Sequence, residues 1–185
     1  MAKRRTQLLQ AAVRVIAQDG VRGLRVEKLA AEAGVSTALI YYHFKDRAGI
    51  LHAALDHINQ RAERYTSVPA DGDSLEQLRQ MLLLELQDTD DVRENSIAWG
   101  ELRASAVFTE DLREALHATT RAWNADVEAL LRQAGVTDAA LAAEHLTALV
   151  EGLSERWHSG SITLERAREA LTLAVLVTSR GAASS

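Results

Sequence analysis

Between Gly34 and Arg47 the chain reads GVSTALIYYHFKDR. Two tyrosines, a histidine and a phenylalanine stand together there, in a protein of 185 residues that is only 4% aromatic. The hydroxyls of Ser36 and Tyr42, with Lys45 and His43 nearby, are groups that suit phosphate oxygens. Aromatic rings can pack on sugar or on a thymine methyl. The pattern therefore points to nucleic acid rather than to bond-breaking chemistry. Elsewhere His52 and His57 are five residues apart and share no helical face, and Glu144 and His145 are adjacent and point apart. No HExxH, phosphate-cradling glycine loop or GxSxG elbow occurs. No catalytic residue, metal site or cofactor is expected, and an all-helical enzyme is the least favoured reading.

A short helix must position these groups. At about 100° per residue, Ile40 and Phe44 fall together and face a core. Tyr42 then points almost directly away from that core, with Ala38, Leu39 and Lys45 around it. Tyr41 and Thr37 lie at one border and His43 at the other. Upstream, Leu29, Ala30 and Ala33 form a second short helix closed by Gly34. Val35 plugs the angle, and Ser36 caps the helix that follows. Two helices joined by so tight a turn make a helix-turn-helix, whose second helix lies in a major groove.

The charge distribution agrees. The formal net charge of −5 conceals a split: residues 1–64 carry +5 and include all three lysines, whereas residues 65–185 carry −10. A basic head gains by releasing counterions from phosphates, and an acidic body is repelled by them. Cysteine is absent, which fits a reducing compartment, and the cytoplasm is the expected location. The N-terminus opens with Lys3, Arg4 and Arg5, but Gln10 and Arg14 interrupt its apolar run. No window approaches the roughly 20 apolar residues of a membrane span. Cations ahead of a first helix oppose its dipole, so these three are expected to form either a minor-groove arm or a solubilising terminus.

Helical periodicity dominates the whole chain. The first helix carries Leu9, Ala12, Val13 and Ile16 and ends at Gly20; the fourth runs from about Arg47 to Tyr65, before Pro69. Five more are expected over about 74–87, 92–106, 110–134, 138–158 and 163–179. The tail GAASS is expected to fray.

The segment LAAEAGVSTALIYYHFKDRAGIL resembles the DNA-binding signature of the tetracycline-repressor (TetR) family of bacterial transcriptional regulators, and the likeness extends over about residues 5–55. It implies an all-α, nine-helix TetR-like homodimer. A helix-turn-helix domain would occupy residues 1–46, and a helical ligand-binding and dimerisation domain residues 47–185. Its DNA contacts carry over to Ser36, Thr37, Ala38, Tyr41, Tyr42, His43 and Arg47, and Lys45 lies near the backbone by its place on the helix. Two positions depart from the family pattern. Arg25 replaces a capping threonine, which leaves its side chain to reach a phosphate or groove edge. Leu39 replaces a residue that is often polar.

In the body, Asn95, Trp99, Arg103, Phe108, Thr120 and Trp123 either line an effector pocket or fill ordinary core. Acidic groups such as Glu85 and Glu101 admit a cationic ligand. Ala142, Leu146, Leu149, Leu153, Leu171, Ala174 and Val175 suit a four-helix dimer seam or an internal core, and the resemblance favours the seam. The partners expected are a double-stranded DNA operator, a second copy of the chain and a small-molecule effector, with no membrane. The implied function is a sequence-specific regulator released from a pseudo-palindromic operator. An architectural or effector-independent DNA-binding protein is the alternative, disfavoured because the roughly 120 residues of body exceed what dimerisation alone needs.

Overall fold

The computed structural model describes residues 2–69 and 72–182. Among these residues the regular structure is entirely helical: α1 (Ala2–Gly23), α2 (Val26–Ala33), α3 (Thr37–Phe44), α4 (Arg47–Tyr65), α5 (Ser74–Leu83), α6 (Asp90–Ala106), α7 (Glu110–Gln133), α8 (Ala139–His158) and α9 (Leu164–Ala182). The all-α expectation holds. Most ends fall where local chemistry demands. Gly20, at φ 71°, interrupts α1. At the end of α2, Gly34 takes the left-handed conformation, and the amide of Val35 reaches back to Ala30 O at 2.9 Å. Val35 then packs on the core beneath, completing the glycine-terminated motif that shapes the turn.

Three boundaries depart from the sequence reading. Lys3, Arg4 and Arg5 lie inside the first turn of α1 rather than ahead of it, so they form neither a separate arm nor a loose terminus. Gly181 and Ala182 close α9, so the expected fraying does not begin at Gly181; the rest of GAASS lies outside the described residues. The fifth helix stops at Leu83 rather than near Gln87: beyond it the bonds tighten to three-residue turns, Glu85 N to Leu82 O at 3.2 Å and Leu86 N to Leu83 O at 3.1 Å. Arg168, on α9, holds this end, its Nη1 donating to Leu83 O at 3.0 Å and to Leu86 O at 2.6 Å.

Two compact units result, Met1–Ala62 with Glu94–His117, and Glu63–Arg93 with Ala118–Ser185. In the first, Leu8, Ile16, Leu29, Ile40, Ile50 and Leu102 are fully buried, so α1 to α4 share one apolar cluster with α6. In the second, Leu78, Leu82, Val127, Leu131, Leu146 and Leu171 form the centre of a separate cluster contributed by α5, α7, α8 and α9. Each unit therefore mixes segments distant in sequence, and hydrophobic burial holds each one together.

The turn that ends α3 is tight. Asp46 donates its amide to Phe44 O at 2.7 Å across Lys45, whose φ of 63° and ψ of −59° define a γ-turn of the strained, positive-φ kind. Asp46 then caps α4 through Oδ1, which accepts from Gly49 N at 2.8 Å. A Cβ on Gly49 would stand 2.1 Å from the Phe44 carbonyl oxygen. Gly49→Ala is expected to lose about 2 kcal/mol or more of stability, because backbone rather than a yielding side chain must move; urea denaturation measures this.

Candidate DNA interface

An eight-residue helix has little stability of its own, so α3 depends on its cap and its buried face. Ser36 supplies the cap: its hydroxyl accepts from Leu39 N at 3.3 Å. Ile40 and Phe44 supply the anchor and are 0% and 4% exposed. With those two directed inward, helical geometry turns Tyr42 outward, where it is 70% exposed, and leaves Tyr41 at 50%. Ser36, Thr37, Ala38 and Lys45 are exposed as well, and Leu39 and His43 are half-buried. The Tyr42 and His43 rings meet edge to face with centroids 5.3 Å apart, which restrains both without covering the outer face of Tyr42.

Around this helix some cations are already engaged and others are presented. Arg14 pairs with Glu32 at 2.7 Å and Lys28 with Asp19 at 2.5 Å. Both pairs are partly exposed and contribute little to stability. Arg25 is exposed at the N-cap of α2 and makes no side-chain cap bond there. Arg5 lies with its guanidinium 5.6 Å from the centre of the Phe44 ring, a cation–π contact that the reading of residues 3–5 as a separate terminus could not anticipate. Arg47 has a different place from the one the resemblance implies. The residue is exposed, yet its Nε donates to Leu24 O at 3.0 Å and its Nη2 to Val21 O. Those donors serve the protein's own backbone.

A short helix with a buried apolar edge and an outward row of hydroxyls and rings, set behind a glycine turn on a basic unit, is a DNA-reading arrangement. Comparison with known proteins agrees. The family profile described as bacterial regulatory proteins, tetR family, matches residues 8–54, and that of the BetI-type transcriptional repressor C-terminal region matches residues 74–177. The chain belongs to the TetR family. It is a DNA-binding transcriptional regulator.

Several relatives of this TetR-family regulator are similar along most of its length. The HTH-type transcriptional regulator BetI of Burkholderia lata is 28% identical over 163 residues, spanning 86% of this chain and 82% of its own. A TetR-family regulator from Rhodococcus sp. is 47% identical with a TM-score of 0.89, over 96% of this chain and 99% of that one. A transcriptional regulator from Saccharomonospora viridis, solved in complex with choline, is 25% identical with a TM-score of 0.82, over 92% and 94% of the two chains.

In the TetR-family regulator described here, the residues expected to line an effector pocket are divided between the two units. Asn95 is 1% exposed and donates Nδ2 to Ile58 O at 3.1 Å within the first unit. Trp99 packs against that unit's core, and Arg103 is half-buried. Phe108 is 83% exposed on the turn before α7, where Arg113 binds Ala106 O at 3.1 Å and Val107 O at 2.9 Å. So exposed a ring lines no interior pocket. Thr120 and Trp123 belong to the second unit; both are half-buried, and Trp123 packs on its core.

The two acids have separate surroundings. Glu101 accepts from Val21 N at 3.2 Å. Glu85 accepts from Tyr65 Oη at 2.9 Å. Burial raises the Glu85 carboxyl to about 7, opposed by the Tyr65 hydrogen bond and reinforced by nearby Glu151.

Four of the residues expected at the dimer seam need correction. Leu146, Leu153, Leu171 and Val175 are 1%, 6%, 0% and 3% exposed and belong to the second unit's own core, while Ala142, Leu149 and Ala174 are half-buried against it. The apolar residues left uncovered on the same helices are Leu141, Leu173, Leu176 and Val177, at 48%, 62%, 49% and 60%. An apolar stripe read from sequence is the same whether a helix buries it against its own chain or against another. Among the described residues no helix is long and apolar enough to cross a membrane.

Because Tyr42 is anchored by its backbone and not by packing, Tyr42→Ala is expected to leave the melting temperature unchanged. It should weaken binding to specific and scrambled duplexes alike by about tenfold, read by fluorescence anisotropy. Unchanged affinity would remove Tyr42 from the interface.

Proposed function

We propose that the regulator is a repressor that binds a pseudo-palindromic operator as a homodimer and is released by a small organic cation. The observation that carries this reading is the outward presentation of Tyr41 and Tyr42 beside the exposed Ser36, Thr37 and Ala38 at the start of α3. In this reading residues 1–46 engage DNA. Residues 47–185 bind effector and partner.

The dimer seam of this proposal uses Leu141 from α8 and Leu173, Leu176 and Val177 from α9. The last three fall at i, i+3 and i+4 and so share one face. Four large apolar side chains exposed on two helices are more than solitary surface residues require. Gly152, with open space where a Cβ would stand, permits close approach on α8. Leu173→Glu is expected to shift the protein to monomer in light scattering, because a carboxylate would be desolvated in the seam. DNA affinity should fall with it as the second recognition helix is lost.

A cationic effector is supported by two things. The Saccharomonospora relative holds choline, and the second unit of this chain keeps Glu85 beside Tyr65 and Glu151. Burying negative charge without a counter-cation costs stability, and a quaternary ammonium would relieve it while the tyrosine ring contributes a cation–π face. Ligand and DNA then compete through population shift, so each weakens the other by the same factor.

The test is anisotropy on the duplex flanking the regulator's own gene against a scrambled duplex, with choline as the probe. Saturable preference for the native duplex and its loss with choline are expected. Ionised Glu85 is the cation-binding form and its carboxyl titrates at about 7, so choline release should strengthen as pH rises from about 6 to about 8. A pH-independent response would remove Glu85 from the site. Absence of any choline effect would remove this cation as the effector.

A further inference from the structure

The backbone of Val21 is gripped at both of its polar groups within the first unit. Its N–H donates to Glu101 Oε2 at 3.2 Å, from α6, and its carbonyl accepts from Arg47 Nη2, at the first residue of α4. Arg47 Nε holds the neighbouring Leu24 O at 3.0 Å. Val21 and Leu24 are 4% and 1% exposed, so these bonds sit at the edge of the core. Gly20 makes the approach of α6 possible: at φ 71°, a Cβ would lie 2.7 Å from Glu101 Oε2. Asparagine 95 and glutamate 94 hold the same helix further along, through Asn95 Nδ2 to Ile58 O at 3.1 Å and Glu94 to Arg61 at 2.8 Å.

From Arg47 to the recognition helix the path is two residues long. Asp46 and Lys45 form the γ-turn that ends at Phe44, with Asp46 N bonded to Phe44 O at 2.7 Å. A turn so tight and so closely packed by Gly49 transmits a displacement of α4's first residue to α3 with little slack. Arg47 is therefore placed to set the angle of Tyr41 and Tyr42 without touching DNA.

We propose that Glu101 and Arg47 are a pair of positioning residues for DNA binding, which clamp the Val21 backbone from α6 and α4 and thereby set the presentation of the recognition helix. Arg47 works inward in this assignment, as a strut, in place of the phosphate contact that its sequence position suggests. Glu101, eighty residues from Val21 in the chain, is its counterpart on α6. A change in α6 that withdrew the carboxylate would release one side of the clamp and leave α4 itself in place.

A double-mutant cycle tests the pair. Glu101→Ala, Arg47→Gln and the double variant of the full chain are titrated onto the duplex flanking its own gene and onto a scrambled duplex, over a salt series. Each single change is expected to weaken binding by about tenfold, and the double change by no more than the worse single, because both hold the two peptide groups that flank one residue, Val21. The salt slope should stay that of the unaltered protein. Loss of a phosphate contact would lower it by about 0.9. Losses that add, or a reduced slope for Arg47→Gln, would overturn the assignment.

Hydrogen exchange of the Val21 amide without DNA gives a reading that does not depend on the duplex. Faster exchange in both single variants is expected, and unchanged exchange in either would also overturn the proposal. Should Glu101→Ala fail to fold, Glu101→Asp keeps the charge but falls one methylene short, and the same faster exchange and weaker binding are expected of it.

Discussion

The DNA-reading surface rests on the burial of Ile40 and Phe44. A helix of eight residues, Thr37–Phe44, cannot hold itself in water, so it exists where two of its side chains are sunk in a larger core and Ser36 closes its N-terminus. Burying those two leaves the helix no freedom to rotate. Tyr42 must then face outward, and Thr37 and Ala38 are exposed at the start of the same helix. The cost of exposing aromatic area is thus met by packing on the opposite side, and recognition and stability are two faces of one short element.

The ends of that helix are held as firmly as its middle. Gly34 and Val35 terminate α2 with backbone bonds, and the γ-turn at Lys45 places α4 immediately behind Phe44. The single positive-φ residue other than glycine among the described residues sits there. Strain at such a place persists only where surrounding bonds over-determine it. Asp46 and Gly49 supply them directly, and the bonds of Arg47 to Val21 and Leu24 extend the restraint into the core.

The second unit follows a different logic. Its leucine cluster is ordinary helical packing, yet it keeps the Glu85 carboxyl raised to about 7 beside Tyr65 and Glu151. A buried carboxyl with another acid nearby is held at a cost in stability, and costly groups accumulate where a protein binds something. The +5 of residues 1–64 suits a partner that carries phosphates, from which a basic surface releases counterions.

Sequence alone determined the helices, the glycine turn, the cap at Ser36 and the inward and outward faces of α3, because each is a consequence of residues within a few positions of one another. It also carried the family, through a contiguous segment. Tertiary structure decided the rest. Leu146, Leu153, Leu171 and Val175 formed a stripe suited to either a seam or a core, and only the packing of α8 and α9 into the second cluster made it core and left Leu173, Leu176 and Val177 outside. Arg168 reaches the carbonyls at the end of α5 from more than eighty residues away. Glu101 and Arg47 found their partner at Val21 across comparable or shorter gaps. Periodicity records which side of a helix is apolar but carries no information about what that side meets, and a charged donor or acceptor takes whichever unsatisfied backbone group the fold brings within reach.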